Sequence, residues 1–449
     1  MTTSGMISET TAATQSTLVE TPRTKLLASG REWIVRLAGV GGAQAIVQAI
    51  GFLAGILIVR TLSMQEYALY TLANTLIVTM NMLGDAGISS GMLSEGGKVW
   101  QDHRKLGIVI ATGLGLRRRF ASWLCGASIP VLLYLLRSHG ASWLEAFCLV
   151  ILVSFAFWLS LLSGIYSVAL GLHQRLADTQ RVALIQNSAR LAGLVPLIAA
   201  FPTAVVSVAV ALGPQAWAMS RLRSLCGALI ELGQPEDPGV RTEVLRVVRR
   251  LLPNLIYLSF SSQITVWLIS FCGSTASLAQ LGALTRLGQA FALLSALAGA
   301  IIIPRFARLP GNARLILARY FQVLVLLSAS TAIVVLLVGR FPAQVLLLLG
   351  HDYLGLTHEV TLYMCSSVLY VIAGIASSLA NARGAVLDPV IGISLQLGCQ
   401  VIGILLFGVT SIRGILWLAV FVAAAQIVMY TVNFVIQTMA RPPARTIVA

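Results

Sequence analysis

Twelve stretches of about 20 apolar residues follow one another along this chain, and few folds can hold them. They run over 37–58, 68–92, 120–137, 144–170, 181–201, 204–222, 251–272, 278–303, 315–338, 359–381, 388–409 and 414–437. About 20 apolar residues make a helix long enough to cross a bilayer. Only helices and closed barrels satisfy every backbone hydrogen bond in hydrocarbon, and strands would be half this length. The chain is therefore expected to be an all-α polytopic membrane protein with about 12 transmembrane helices. Composition agrees: 57% of the 449 residues are hydrophobic and 10% charged, against about a quarter charged in soluble domains.

The formal charge of +15 would suggest nucleic acid in a soluble protein. Here it has a simpler origin, because basic residues of membrane proteins collect in cytoplasmic loops. With the N-terminus inside, 25 of the 31 basic residues fall on that side, four outside (Arg60, Arg137, Arg340, Arg413) and two within spans (Arg190, Arg286). The asymmetry supports an even span count with both termini cytoplasmic. No nucleic-acid motif is present.

The widest gap after the first loop, 223–250, is charged and holds the breaker cluster "QPEDPG". It divides the chain into a tail (1–36), a six-helix lobe (37–222), a cytoplasmic linker (223–250), a second six-helix lobe (251–437) and a tail (438–449). The first tail, polar and Ser/Thr-rich, is expected to be disordered. It lacks the apolar core of a cleaved signal peptide. The lobes resemble each other weakly. "LIVRTLSMQEYALYTLANTLIVTMNML" from Leu57 aligns with "LISFCGSTASLAQLGALTRLGQAFALL" from Leu268, and "SGIYSVALGLHQR" from Ser163 with "AGIASSLANARGA" from Ala373. Two separate stretches at nearly one offset argue for duplication. Two pseudo-symmetric lobes would frame a central, midplane cavity, as in many secondary transporters.

The six cysteines are scattered through apolar stretches and the five histidines through loops and helix ends. Neither set has metal-ligand spacing. There is no phosphate-cradling glycine loop and no catalytic triad or carboxylate pair. No enzyme, metal or cofactor is expected, and no residue is assigned to catalysis.

Charged residues inside spans carry the functional signal, because an ion in hydrocarbon is costly. Arg190 lies about 16 Å below Phe201 at 1.5 Å per residue, near mid-bilayer. It either makes a structural pair or faces a polar cavity. Arg286 precedes an uncharged run from Leu287 to Ile303. By depth alone it either snorkels to the outer interface or faces a cavity. Asp85 is the one clear acid well inside a span; it pairs with an arginine or carries a proton or ion. Arg60 ends the first span, as a flank anchor or a cavity residue. Gln44, Gln48, Asn74, Asn81, Asn187 and Gln263 add uncharged polarity, which either a water-filled cleft or helix–helix hydrogen bonds would explain.

Three stretches together resemble a known family. "ILIVRTLSMQEYALYTLANTLIVTMNMLGDAGISSGML" carries an Arg–Leu-like pairing at the end of span 1, an "EY" before span 2 and an Asp-x-Gly near its end. "ALTRLGQAFALLSALAGAIIIPRFARL" is similar to the family's span 8, and "VLLLLGHDYLGLTHEVTLYMCSSVLY" to its outer loop before span 10. Their order and spacing resemble the polysaccharide-biosynthesis flippases of the multidrug/oligosaccharidyl-lipid/polysaccharide (MOP) exporter superfamily. The resemblance implies a V-shaped pair of bundles with alternating access, in a bacterial inner membrane. It implies an undecaprenyl-diphosphate-linked oligosaccharide as substrate, for O-antigen or exopolysaccharide synthesis. Arg286 and Arg60 match cavity arginines of related flippases; Arg190 has no such match. A substrate-binding set follows as an expectation: Arg286, Arg190, Arg60, Gln44, Gln48, Asn74 and Gln263. Expected partners are the lipid-linked substrate, membrane lipid and polysaccharide polymerase or export proteins around a monomer. Two other classes stand beside this one. A multidrug antiporter of the MATE type would want carboxylates and aromatics around an organic cation. A non-transporting scaffold would have no need of buried arginines.

Overall fold

The computed structural model describes residues 22–291, 295, 298–307, 309, 312–385, 387–409 and 411–440, with the side chains of these except 22–41, 300, 301 and 304. The rest of the expected N-terminal tail and residues 441–449 lie outside this range. The described residues form helices and turns only. The first half contains α1 (Pro22–Thr61), α2 (Met64–Asp85), α3 (Ile88–Val99), α4 (His103–Ser138), α5 (Trp143–Leu172), α6 (Leu176–Ala200) and α7 (Ala204–Gly227). The second contains α8 (Pro238–Ser261), α9 (Ile264–Cys272), α10 (Thr275–Gly288), the short α11 (Ile303–Ala307), α12 (Ala313–Arg340), α13 (Pro342–Leu347), α14 (Thr357–Ala382), α15 (Pro389–Phe407) and α16 (Ile412–Ala440). Nine continuous helical tracks among the described residues are long and apolar enough to cross a membrane, and α8 with α9 makes a tenth as one bent span. The other two expected crossings are α7 and the interrupted track from α10 to α11.

Three expected boundaries change. α1 begins at Pro22, so residues 22–36 are helical rather than a disordered tail; proline is well placed in a first helical turn, where its missing N–H costs nothing. α4 begins at His103, well before the apolar stretch that marks its span, and so carries Arg117 inside a helix. The stretch expected as one helix over 278–303 is broken after Gly288.

Helix caps repeat at the offset seen in the sequence. Ser63 accepts from the backbone N–H of Glu66 to start α2, and Ser274 accepts from Ser277 to start α10. Asp102 caps α4 through two N–H groups, and Asn312 does the same for α12. α5 and α14 end alike. The N–H of Arg175 reaches back to Leu170 O at 2.9 Å, with Gln174 left-handed (φ 56°); that of Ala385 reaches Ala380 O at 2.9 Å, with Gly384 left-handed (φ 69°). Side chains capping free N–H groups and left-handed residues ending helices are local devices. Their recurrence at matching places in both halves supports duplication more strongly than the aligned letters do.

Two ends of the molecule are distinguished by their turns. One end, called here the hairpin end, holds the tight turns after α1, α4, α6 and α9. The opposite, basic end holds the α3–α4, α5–α6 and α7–α8 connections. Three arginines at the hairpin end are held by acceptors there, Arg60 by those of a helix terminus. Arg60 donates from Nη2 to Leu347 O at 2.5 Å and from Nε to Leu348 O at 3.0 Å, at the end of α13. Arg137 donates to Ala141 O at 2.6 Å, and Arg413 to Glu359 at 2.5 Å. The Arg60 guanidinium against terminal carbonyls satisfies acceptors that a helix leaves free and complements its dipole.

The larger hydrophobic core joins both halves, at the hairpin end of the first and along the full length of the second, down to Phe306, Tyr320 and Phe434. A smaller one gathers the basic ends of α3, α4, α5 and α7 with Val244 and Val248 of α8. α8 therefore begins on the first half, where Val244 meets the bare backbone of Gly91. It then bends by 57° into α9, which packs within the second half.

Sidedness is read directly by thiol labelling. His351, at the hairpin end, and Arg246, on the basic part of α8, are both exposed. A cysteine replacing His351 is expected to react with an impermeant reagent in intact cells, and one replacing Arg246 is not. Labelling of both positions contradicts the even, termini-inside topology.

Candidate functional site

α2 of the first half faces α10 of the second across a close contact. Gly282 of α10 makes it possible, since a Cβ there would collide with Thr71 Oγ1. Just below, toward mid-membrane, the helices part around a cavity of about 350 Å³. Thr71, Asn74 and Thr75 line it from α2, Thr285 and Arg286 from α10, and Tyr363, Ser366 and Tyr370 from α14. Ser262 and Gln263 enter at the α8–α9 bend, where the backbone leaves helical geometry and so turns polar groups inward. No carboxylate is among its lining residues.

Arg286 is eleven residues below the start of α10, about 16 Å deep, and only 8% exposed. It does not snorkel. Its Nε donates to Tyr67 Oη at 3.3 Å, and its guanidinium lies over the Tyr70 ring, 5.5 Å from the centroid. A cation over an electron-rich ring is attracted to it, more so when desolvated. Gly55 of α1 leaves the space for this side chain, because a Cβ there would sit 2.8 Å from Arg286 Cδ. Arg190, eleven residues before Phe201 at the end of α6, approaches the same tyrosine through its hydroxyl. Its Nη2 is 3.5 Å from Tyr70 Oη, and its Nε is buried without a hydrogen-bond partner. The two intramembrane arginines thus converge on one tyrosine, and neither forms an ion pair with a carboxylate among the described residues.

The other expected site residues separate into two groups. Asn74 and Gln263 line the cavity with Arg286. Gln44 and Gln48 are half-buried on α1 and do not line it. Arg60 is a correction: expected as a cavity arginine, it sits at the hairpin end, clasping α13. The physical reason is its position at the last turn of α1, where helix carbonyls of the other half lie within reach. Asn187 donates to Ala183 O at 2.8 Å within its own helix.

Asp85 has a structural partner. It pairs with Arg117 of α4 and accepts from Ser89 Oγ at 2.6 Å. Arg117 also donates to Ser89 Oγ at 2.7 Å and to Leu161 O at 2.9 Å. Arg117 is buried, and sequence reasoning missed it because it heads a run of three arginines that resembles a loop. The signal lay in Asp85 itself: an acid ending an apolar helix needs a cation, and the nearest candidates were these. Removing one partner leaves the other charge buried, at roughly 3–5 kcal/mol. Asp85→Asn is therefore expected to lower the melting temperature of the detergent-purified protein markedly, and Asp85→Asn with Arg117→Met to regain much of it. A normal melting temperature with selective loss of proton-driven transport would contradict this role.

Sequence motifs that looked separate meet here. Glu66 and Tyr67 form the "EY": Glu66 accepts from the Ala204 N–H at 2.6 Å, capping α7, while Tyr67 holds Arg286. The Asp-x-Gly supplies the Asp85 pair and then a left-handed Gly87 (φ 79°) that separates α2 from α3.

No protein-family model matches the chain, and no curated protein does. Solved structures do. An inward-facing multidrug resistance MATE family transporter of the MOP superfamily superposes with a TM-score of 0.67 at 14% identity, over 88% of this chain and 94% of that one. The lipid II flippase MurJ in an inward closed conformation gives 0.66 at 13%, over 90% and 88%. An outward-facing multidrug resistance MATE family transporter of the MOP superfamily gives 0.56 at 14%, over 90% and 95%. This chain is a multi-pass membrane protein with the two-lobed helical fold of these solved MATE transporters and of MurJ.

Proposed function

We propose that the protein is a flippase for undecaprenyl-diphosphate-linked oligosaccharide repeat units, working by alternating access in a bacterial inner membrane with its basic end toward the cytoplasm. The observation that carries this reading is the convergence of Arg190 and Arg286 on Tyr70, beside a polar cavity between the lobes, with no carboxylate to neutralise them. A buried and a half-buried cation with no carboxylate partner among the described residues favour an anion. Guanidinium forks suit paired phosphate oxygens. The hydroxyls and amides of Thr71, Asn74, Thr75, Ser262, Gln263 and Ser366 can hydrogen-bond sugar hydroxyls.

The cavity is too small for an oligosaccharide diphosphate, so binding requires the lobes to part at one end. The headgroup enters from the basic end, the diphosphate meets the arginines, and closure there with opening at the hairpin end completes the passage. The polyprenyl chain stays in lipid throughout. In the closed state Tyr67 and Tyr70 hold the guanidinium of Arg286, so an arriving diphosphate competes with them for it.

A MATE-type drug antiporter shares the fold. It is disfavoured here by the cavity itself, which has an arginine and no acid; an organic cation would meet repulsion. Purified protein in liposomes with a labelled polyprenyl-diphosphate oligosaccharide tests the reading. Transfer to the opposite leaflet is expected, with no uptake of organic cations. Cation uptake without lipid transfer would replace the flippase by the antiporter.

A further inference from the structure

A second cavity, of about 510 Å³, lies in the first half, at the basic end and away from the lobe interface. It is walled by α4, α5 and α7 and roofed by the α7–α8 connection. That roof is fixed rather than draped. The Glu231 N–H donates to His103 O at 3.2 Å and the Asp237 N–H to Thr112 Oγ1 at 3.0 Å. It also fits closely over two glycines of α4. A Cβ on Gly107 would collide with Glu231 O, and one on Gly115 would meet the Glu236 carboxylate.

Arg118, Arg119, Arg223 and Gln234 line it together with Leu162 and Met219, and Ile110 and Leu114 of α4 line its basic-end side, beneath the roof. Arg119 is 3.5 Å from Glu236. Arg118 and Arg223 form no ion pair with a carboxylate among the described residues. Depth along the helices sets the level of the cavity. The hairpin end of α4 is Ser138, and that of α7 is Ala204. Measured along its own helix, each of Arg118 and Arg223 stands about 30 Å from that end, which is the thickness of the hydrocarbon core. The cations therefore stand at headgroup level, with Met219, one turn nearer the hairpin end than Arg223, on their membrane side.

We propose that this cavity binds the phosphate headgroup of an anionic phospholipid of the basic-end leaflet. Arg118 and Arg223 hold the phosphate oxygens, Arg119 exchanges between Glu236 and the ligand, and Gln234 donates from the roof. The glycerol and first methylenes lie against Leu162 and Met219. Basic pockets between helices at the cytoplasmic face suit anionic headgroups by charge and by depth. Since the roof is the chain that joins the two halves, an occupied site clamps that connection to the first half. The assignment does not depend on what the central cavity carries.

The test compares binding of phosphatidylglycerol and phosphatidylcholine to the full chain in detergent, by native mass spectrometry. Arg118→Gln with Arg223→Gln is the site variant. Arg314→Gln with Arg319→Gln, exposed at the same end of the second half, is the control. Wild type and control are expected to retain phosphatidylglycerol over phosphatidylcholine, and the site variant to bind it about thirtyfold more weakly. Arg118→Lys with Arg223→Lys should recover part of the loss. Equal retention by site variant and wild type overturns the proposal. A free-phosphate site would instead show inorganic phosphate displacing phosphatidylglycerol at low concentration, and that result overturns the lipid assignment.

Discussion

Arg286→Gln is expected to reduce flipping by about a hundredfold or more, while Arg286→Lys keeps a measurable fraction. A glutamine removes two charge-assisted hydrogen bonds, each worth about 1.5–3 kcal/mol in a desolvated site. A lysine restores the charge but not the fork, so it grips one phosphate oxygen where arginine grips two. Position makes this informative. Arg286 is buried about 16 Å below the hairpin end, between Gly55, Tyr67 and Tyr70, so no interfacial role is open to it. Arg190→Gln should be comparably severe, since it reaches the same tyrosine. Surface polysaccharide in cells lacking their own flippase, with immunoblots of membrane fractions, gives the measurement. Full activity of Arg286→Ala at normal protein level would remove Arg286 from the site.

Gly282→Leu is expected to block the transport cycle without unfolding the protein. The added side chain collides with Thr71 across the α2–α10 contact, and overpacking of a tight contact costs about 1–3 kcal/mol. That cost falls only on states in which the hairpin end is closed, so the equilibrium shifts about tenfold to a hundredfold toward opening there. Spin labels at Gln65 and Ala276, which border one shallow depression at the hairpin end, are expected to move apart in the variant. Thr71→Gly in the same chain should bring them back. An unchanged distance distribution would mean that this contact does not close the hairpin end.

The span pattern was legible because hydrocarbon imposes it: every crossing needs its run of apolar residues, and the runs are there. Depth was legible too. Arg190 is deep along α6, as its distance from Phe201 implies, and Arg286, ambiguous by count, resolved to the buried reading once α10 proved to start at Thr275. What counting missed was helix beyond the bilayer. α4 extends back to His103, several turns before its apolar stretch, and the partner of Asp85 lies in that extension, among arginines that read as loop. Tyr67 and Tyr70 were passed over because a tyrosine in an apolar helix draws no notice in sequence; only the fold brings them against arginines far along the chain. Arg60 was misplaced for a related reason. The resemblance supplied a role, and the reach of its side chain from the last turn of α1 supplied another.

α8 belongs mechanically to both halves. Its first turns rest on α3, in one half of a duplicated molecule, while its continuation α9 is bound into the other. A rod fastened at both ends to bodies that rotate apart cannot keep a fixed angle. Under the proposed alternating access, the 57° flexure at Ser262–Gln263 must open or sharpen with every swing of the halves. It lies at the wall of the central cavity, so the proposed motion would carry Gln263 in and out of the path of a cargo. Sending one helix across the seam couples the two bundles as a crank would, with its joint in the cavity wall.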